Sequence, residues 1–116
     1  MSTVADYSAA PYEVRMVQGD SLRETFVFRD QDGSLLDLDG YAFASQVRQT
    51  AAGSAVATFD ITIDVEAASV VRSLGTAVTS GLLGRFVHDF QWTEPDGRVR
   101  TLLGGRFEVV AEVTRA

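Results

Sequence analysis

The chain contains no cysteine and no lysine, and its only histidine is His88. Without cysteine there can be no disulfide, no thiolate zinc site and no cysteine nucleophile. Because lysine is missing, all ten positive charges are arginines, and sixteen acidic residues outnumber them. The resulting net charge of −6 gives little attraction for a phosphate backbone. We therefore expect no nucleic-acid partner.

Long apolar runs are also missing. A membrane-spanning helix needs about 20 consecutive apolar residues, and no stretch of this sequence approaches that length. Residues 1–11 show neither the basic start nor the apolar run of a signal peptide. We expect no membrane insertion, and a protein that works where it is made or is carried elsewhere inside an assembly.

The composition that remains is that of an ordinary globular domain, with 46% apolar and 22% charged residues among 116. This length suits a single hydrophobic core. Residues 1–11 are small and polar, and they are predicted to form an extended N-terminal arm that becomes ordered only on a partner. Residues 12–116 are predicted to form one β-sandwich domain.

Apolar side chains recur at every second position, which is the period of half-buried β-strands. The clearest alternation runs from Ala57 to Val65, and the last run places Phe107 to Val113 inward at every second residue. The other alternating runs are Tyr12–Met16, Leu22–Phe28, Tyr41–Val47, Phe86–Trp92 and Val99–Leu103. Ser69–Leu74 is a further short run, rich in β-branched residues.

Glycine-containing turns separate these runs. Asp-Gly pairs occur at 32–33, 39–40 and 96–97, and the Gly104-Gly105 pair is predicted to form a tight hairpin turn. One helical turn is predicted between Thr76 as its cap and Gly81 as its stop. Seven to nine short strands spaced by turns predict an all-β fold, an immunoglobulin-like antiparallel β-sandwich.

His88 is the natural starting point in a search for catalysis. A Ser/His/Asp arrangement needs a carboxylate that orients the histidine, but Asp89 points to the opposite face of the same strand. His88 is therefore interpreted as a partly buried, hydrogen-bonded residue at the edge of the core. Glu24 with Asp60 stays open as an acid/base pair, although nothing in the sequence marks a pocket around them. We expect no catalytic residue and no enzyme.

An acidic cluster is the best candidate for metal binding. Asp30, Asp32, Asp37 and Asp39 could supply oxygen ligands to calcium, but only the start of an EF-hand loop is present. Turn chemistry already accounts for aspartate before glycine. No metal site or cofactor is therefore assigned, and calcium binding by these four residues stays open.

Several short motifs follow one another in a specific order along the chain. They are Met16–Leu22 (MVQGDSL), Asp32-Gly33, Leu38–Tyr41 (LDGY), Val47-Arg48, Gly84–Phe90 (GRFVHDF), Asp96-Gly97, Thr101–Gly105 (TLLGG) and Glu112–Thr114. In this order the chain resembles the small immunoglobulin-like sandwich domains of tailed-phage virion proteins, such as the N-terminal domain of phage baseplate upper proteins. The resemblance spans residues 12–114. Such domains are expected to have a tyrosine where Phe86 or His88 stands here.

The resemblance implies a non-enzymatic structural protein of a tailed-phage virion, in the tail, the baseplate or the capsid decoration. It also implies a symmetric homo-oligomer that contacts other virion proteins, made in the host cytoplasm and located in the particle. Residues 1–11 would then carry assembly contacts. The alternative is a carbohydrate- or receptor-binding module for host attachment, in which Tyr41 and Trp92 would stack on a sugar.

Overall fold

The computed structural model describes residues 10–113, which form nine strands and one short helix. The elements are β1 Ala10–Pro11, β2 Val14–Val17, β3 Leu22–Val27, β4 Ala42–Arg48, β5 Ala55–Thr58, β6 Asp60–Asp64, β7 Ser69–Leu74, α1 Thr76–Thr79, β8 Gly84–Thr93 and β9 Val99–Val110. Within the described residues, no helix has the length and apolar character needed to cross a membrane.

The strands form two sheets, as expected for an all-β sandwich. The six-stranded sheet has the order β1-β9-β8-β4-β5, and β2 also pairs with β9. The three-stranded sheet has the order β3-β7-β6. All pairs are antiparallel except those of β1 and β2, which run parallel to β9. The two N-terminal strands are thus the parallel strands of an otherwise antiparallel sandwich.

The core lies between the two sheets and consists of two apolar clusters. One cluster is centred on Phe107 and Phe59, and the other on Phe90 and Leu38. Each of these residues is at most 3% exposed. Burial of one such side chain contributes about 1.5–3 kcal/mol, so the inward rows that the alternation predicted provide the main stabilisation of the fold.

The run from Ala57 to Val65 is not the single strand that was predicted. β5 pairs with β4 in the six-stranded sheet, whereas β6 pairs with β7 in the three-stranded sheet. Phe59 lies between the two strands, 3% exposed, and its amide donates to the Ser45 carbonyl at 2.9 Å. The chain thus passes from one sheet to the other at Phe59, a change that period-two alternation does not reveal.

The Gly104-Gly105 pair is not a hairpin turn. Both glycines lie inside β9, which continues without a break from Val99 to Val110. A Cβ on Gly105 would stand 2.7 Å from the Tyr12 carbonyl oxygen. Close approach of the N-terminal strand, rather than a turn, therefore requires glycine at position 105.

Both ends of the sandwich differ from the prediction. β9 ends at Val110, and Ala111 and Val113 are exposed instead of pointing inward. At the other end, Ala10 and Pro11 of the predicted arm form β1 along β9. The rest of that arm, residues 1–9, lies outside the described residues, so its assembly contacts stay a prediction.

The predicted helical turn is present as α1, but its cap differs. Gly75 occupies the N-cap position and supplies no side-chain hydrogen bond, so Thr76 is the first helical residue and not the cap. The Thr79 hydroxyl donates to the Asp20 carbonyl at 2.7 Å. This bond attaches α1 to the turn between β2 and β3.

Candidate functional site

A fully buried arginine connects the two sheets. Arg72 on β7 has no exposed surface, and its Nε and Nη2 lie 2.8 and 2.7 Å from Glu24 Oε1 on β3. Its Nη1 donates to Ser45 Oγ at 3.0 Å and lies 3.1 Å from His88 Nδ1. The guanidinium thereby ties the three-stranded sheet to β4 and β8 of the six-stranded sheet.

Aromatic rings surround the Arg72 guanidinium. Its central carbon lies 4.4 Å from the centroid of the Phe59 ring. It also lies 5.6 to 5.7 Å from the rings of Tyr12, Phe26 and Phe90. The negative faces of aromatic rings attract a cation. These rings therefore provide part of the stabilisation that Arg72 loses when it leaves water.

The protonation state of His88 follows from its neighbours. Arginine only donates hydrogen bonds, so His88 Nδ1 accepts from Arg72 and the ring proton sits on Nε2. That Nε2 donates to the Tyr12 carbonyl at 2.6 Å. Burial lowers the pKa of His88, and the charge of Arg72 lowers it further against the opposing influence of the Tyr12 carbonyl. His88 is therefore neutral at pH 7.

Tyr12 joins the N-terminal segment to this buried group. It lies between β1 and β2, and its hydroxyl donates to Glu24 Oε2. This bond to Glu24, and then burial, raises the pKa of Tyr12. Since the Tyr12 carbonyl also accepts from His88, one residue is fixed to both sheets. Together, Tyr12, Glu24, Ser45, Arg72 and His88 form a cluster that we call the polar core.

The polar core does not resemble a catalytic arrangement. The Ser45 hydroxyl donates to the Asp89 carbonyl and accepts from Arg72. Both ring nitrogens of His88 are already engaged. His88 is hydrogen-bonded, as predicted, but at 4% exposed it is buried in the core and does not lie at its edge. The chemistry available to this cluster is to hold the two sheets and the N-terminal segment together.

Neither Arg72 nor the role of Glu24 as its counter-ion was predicted from the sequence. A signal was present, because Arg72 stands between Val70 and Leu74 in the inward row of β7. Glu24 stands in the same way in the inward row of β3. Opposite charges at inward positions of two strands indicate a buried ion pair once those strands are known to be neighbours.

Glu24 and Asp60 are not brought together as an acid/base pair. Glu24 points inward to Arg72, whereas Asp60 belongs to the exposed row of β6. Alternation places these two rows on opposite faces of the three-stranded sheet.

Two of the four acidic turn residues, Asp32 and Asp37, accept hydrogen bonds from backbone amides of their own turns. Asp32 Oδ1 accepts from the Ser34 amide at 2.9 Å, which lowers the pKa of Asp32. Asp37 Oδ1 accepts from the Asp39 amide at 3.0 Å, and the Asp30 carbonyl accepts from the Gly33 amide. Between residues 10 and 113, no three His, Asp or Glu side chains form a group that could hold a metal ion.

Tyr41 and Trp92 lie in an aromatic group at one end of the sandwich. Their ring centroids are 5.1 Å apart, and both rings also contact Phe43. Burial, and then the nearby charge of Glu94, raises the pKa of Tyr41. Both residues are half-buried. The structure thus packs the two proposed sugar-stacking residues on the core while leaving part of each accessible.

A broad depression of about 650 Å³ lies on the outer face of β2, β8 and β9. Two exposed arginines, Arg15 and Arg85, lie 3.3 and 3.9 Å from the Glu108 carboxylate. Arg106 and Glu13 form a further exposed pair at 3.9 Å. Exposed ion pairs contribute about 0–1 kcal/mol. This face is therefore a solvated polar surface with little effect on stability.

The outermost strands of the three-stranded sheet carry opposite charges. β3 presents Arg23 on its exposed row, and β6 presents Asp60 and Asp64 on its exposed row. Two apolar residues at this edge are also exposed: Ile63 within β6 is 37% exposed, and Val65 directly after β6 is 45% exposed. Open edge strands with exposed apolar residues can pair with another chain, so these two edges are the candidate interaction surfaces.

Comparison with known proteins adds no family. No protein-family model matches the sequence, and no curated protein matches it. The resemblance of the ordered motifs to phage virion domains stays an interpretation of the sequence.

Proposed function

We propose that this protein is a non-enzymatic structural protein of a tailed-phage virion, acting through protein–protein contacts in a symmetric oligomer. The observation that supports this most is the pair of open, oppositely charged edges on the three-stranded sheet. Edge strands of this kind offer backbone groups to a neighbouring chain.

The remaining features are in keeping with a structural role. The buried Arg72 guanidinium lies against Glu24, Ser45 and His88. The Ser45 hydroxyl and the His88 ring also donate to backbone carbonyls. A rigid sandwich built in this way presents fixed edges and faces to its neighbours. The phage setting itself rests on the ordered motifs between Met16 and Thr114. On this proposal the chain is made in the host cytoplasm and joins other virion proteins in the tail, the baseplate or the capsid decoration.

Purified particles provide the test. Quantitative mass spectrometry of phage particles that encode this chain should find it at a fixed copy number that survives a high-salt wash. Immunogold labelling would then place it on the tail, the baseplate or the capsid. Absence of the chain from purified particles would refute the proposed function.

The second candidate is a carbohydrate- or receptor-binding module. Its support is the half-buried pair Tyr41 and Trp92 beside the acidic turns at one end of the sandwich. On a glycan array, binding of a glycan by the native chain and its loss in Trp92→Ala would support this role. The structural role predicts no glycan binding and the same incorporation of Trp92→Ala into particles.

A further inference from the structure

Two strand edges of the three-stranded sheet are open. Among the described residues, the backbone of Leu22–Val27 in β3 pairs only with β7, and so does the backbone of Asp60–Asp64 in β6. No other backbone hydrogen bond within residues 10–113 involves these two segments. Each edge therefore presents free amide and carbonyl groups along its outer side.

The two edges run in the same direction, since both β3 and β6 are antiparallel to β7. Copies related by a rotation axis that lies along the strands keep this direction. β6 of one copy would therefore meet β3 of the next copy as a parallel pair, and one sheet would continue into the other.

β7 fixes which residues of the two edges lie level with each other. Ser73 is paired with Arg23 on one side and with Asp60 on the other. In the same way, Thr25 lies level with Thr62. Continuation of the sheet in this register places the arginine of one copy beside the aspartate of its neighbour, on the exposed face.

We propose that copies of this chain join head to tail through the three-stranded sheet, with β6 of one copy paired in parallel with β3 of the next. Asp60 then lies opposite the next copy's Arg23. The inference rests on the proposed structural function in taking a second copy as the partner. Neither residue takes part in an ion pair among the described residues, so both charges are available for this contact.

An uncovered apolar position supports the same arrangement. Ile63 follows the inward row of β6, yet it is 37% exposed because the sheet ends there. Phe26 lies level with it across β7, through Val70. The next copy would therefore place Phe26 beside Ile63, and the added strand would remove apolar surface from water.

The charges also oppose pairing of like edges. In an antiparallel pair of two β6 strands centred on Thr62, Asp60 of each copy would face Asp64 of the other. Like charges directly opposite each other destabilise a strand pair. The contact therefore joins two different edges, and such a contact generates a ring when its rotation closes and a filament when it does not.

Charge exchange tests the contact in the purified full chain. Arg23→Asp and Asp60→Arg should each raise the dissociation constant, measured by sedimentation velocity, about tenfold or more, which corresponds to about 1.4 kcal/mol. The variant with both exchanges should associate again, since the opposite charges still face each other. Arg85→Glu, on the outer face of the six-stranded sheet, is the matched control and should associate as the native chain does.

Cysteine cross-linking tests the register independently of charge, and the native chain contains no cysteine to interfere. Thr25→Cys/Thr62→Cys should give a ladder of disulfide-linked species, whereas each single variant should give at most dimers. Within one chain the two positions are separated by two strand spacings, about 9.5 Å, which exceeds the reach of a disulfide at about 7 Å. A disulfide between them therefore joins two copies.

The outcomes separate this inference from the proposed function. A chain that is monomeric at every concentration, single charge variants that associate like the native chain, or a double cysteine variant without a ladder would each overturn the edge contact. Detection of the chain in particles would leave the structural role intact in those cases. Conversely, edge association of a chain that is absent from particles would refute the role and keep the contact.

Discussion

At the scale of single residues, the polar core is the unusual part of this protein. Transfer of an arginine from water to a protein interior costs several kcal/mol. Here the cost is offset by the Glu24 carboxylate, by acceptors on Ser45 and His88, and by the adjacent Phe59 ring. Each partner is therefore needed by the others, and the effect of removing one depends on which remain.

Replacement of Glu24 alone should lower the free energy of unfolding more than replacement of both members of the ion pair. Glu24→Leu leaves Arg72 buried without its counter-ion and should lower the free energy of unfolding by about 3–5 kcal/mol. Glu24→Leu/Arg72→Met should lower it by less, because no unpaired charge remains. Urea unfolding of the native chain, the two single variants Glu24→Leu and Arg72→Met, and the double variant gives the four unfolding free energies of a double-mutant cycle. A double variant that loses the sum of the two single effects would contradict the coupling.

His88 should make the stability depend on pH. Its folded-state pKa is lowered by burial and by Arg72 from the ordinary value of 6.5, so the unfolded chain binds more protons below about pH 6.5. The free energy of unfolding should therefore fall as the pH drops from about 7.5 to about 5.5, by at most about 1.4 kcal/mol per pH unit for one proton.

His88→Gln is the control for this pH dependence. It removes the titrating group, and urea unfolding of this variant should show a flatter profile over the same pH range. The charged groups that influence the pKa of His88 are Arg72, Glu24 and Asp89. They remain in the variant, and so does the Tyr12 ring that packs against His88. A native slope that His88→Gln retains in full would show that another group is responsible.

At the scale of elements, the N-terminal segment is held against β9 by a close backbone contact. Gly105→Ala would place a methyl group 2.7 Å from the Tyr12 carbonyl oxygen, and relief requires movement of the backbone. We expect a loss of about 1–3 kcal/mol in unfolding free energy, as is typical of an overpacked site. Gly81→Ala is the matched control, because the atom closest to the added methyl group outside the chain neighbours, the Val78 carbonyl oxygen, lies 3.5 Å away, an ordinary van der Waals distance. Equal stability of the two variants would contradict this close contact.

Local alternation predicted the strands well where a strand belongs to one sheet throughout. β3, β4 and β8 all have the inward and outward rows that the sequence indicated. Alternation could not show that the chain changes sheets at Phe59, because the period of two continues through the crossing. It also could not separate a glycine turn from a glycine within a strand at Gly105, since the reason for that glycine is a residue far away in sequence.

The contacts within the polar core also could not be predicted from the sequence, because they join residues that are far apart along the chain. Tyr12, Glu24, Ser45, Arg72 and His88 come from distant positions, and only the pairing of β3 with β7 and the stacking of the sheets bring them together. The inward position of each residue was predictable from its own strand. Which charge meets which depends on the topology.

At the scale of the whole molecule, the two open edges of the three-stranded sheet, β3 and β6, are the surfaces through which copies are proposed to pair. The proposed contact combines an opposite-charge pair with backbone pairing, and ionic strength screens only the first. The dissociation constant should therefore rise as the salt concentration rises. It should rise by the same factor in the doubly exchanged Arg23→Asp/Asp60→Arg chain as in the native chain, because both keep an opposite-charge pair at the contact. Sedimentation velocity over a salt series measures this, and salt-strengthened association would point to an apolar contact elsewhere.

Hydrogen exchange, followed by mass spectrometry above and below the concentration at which the chain associates, reports on the edge contact amide by amide. Amides of Leu22–Val27 and Asp60–Asp64 should gain protection on association, because each strand acquires a hydrogen-bonded neighbour. Amides of β8, which is central in its sheet, should exchange at the same rate in both states. Protection that appears elsewhere, while the amides of these two edges exchange at an unchanged rate, would show that copies do not join through β3 and β6.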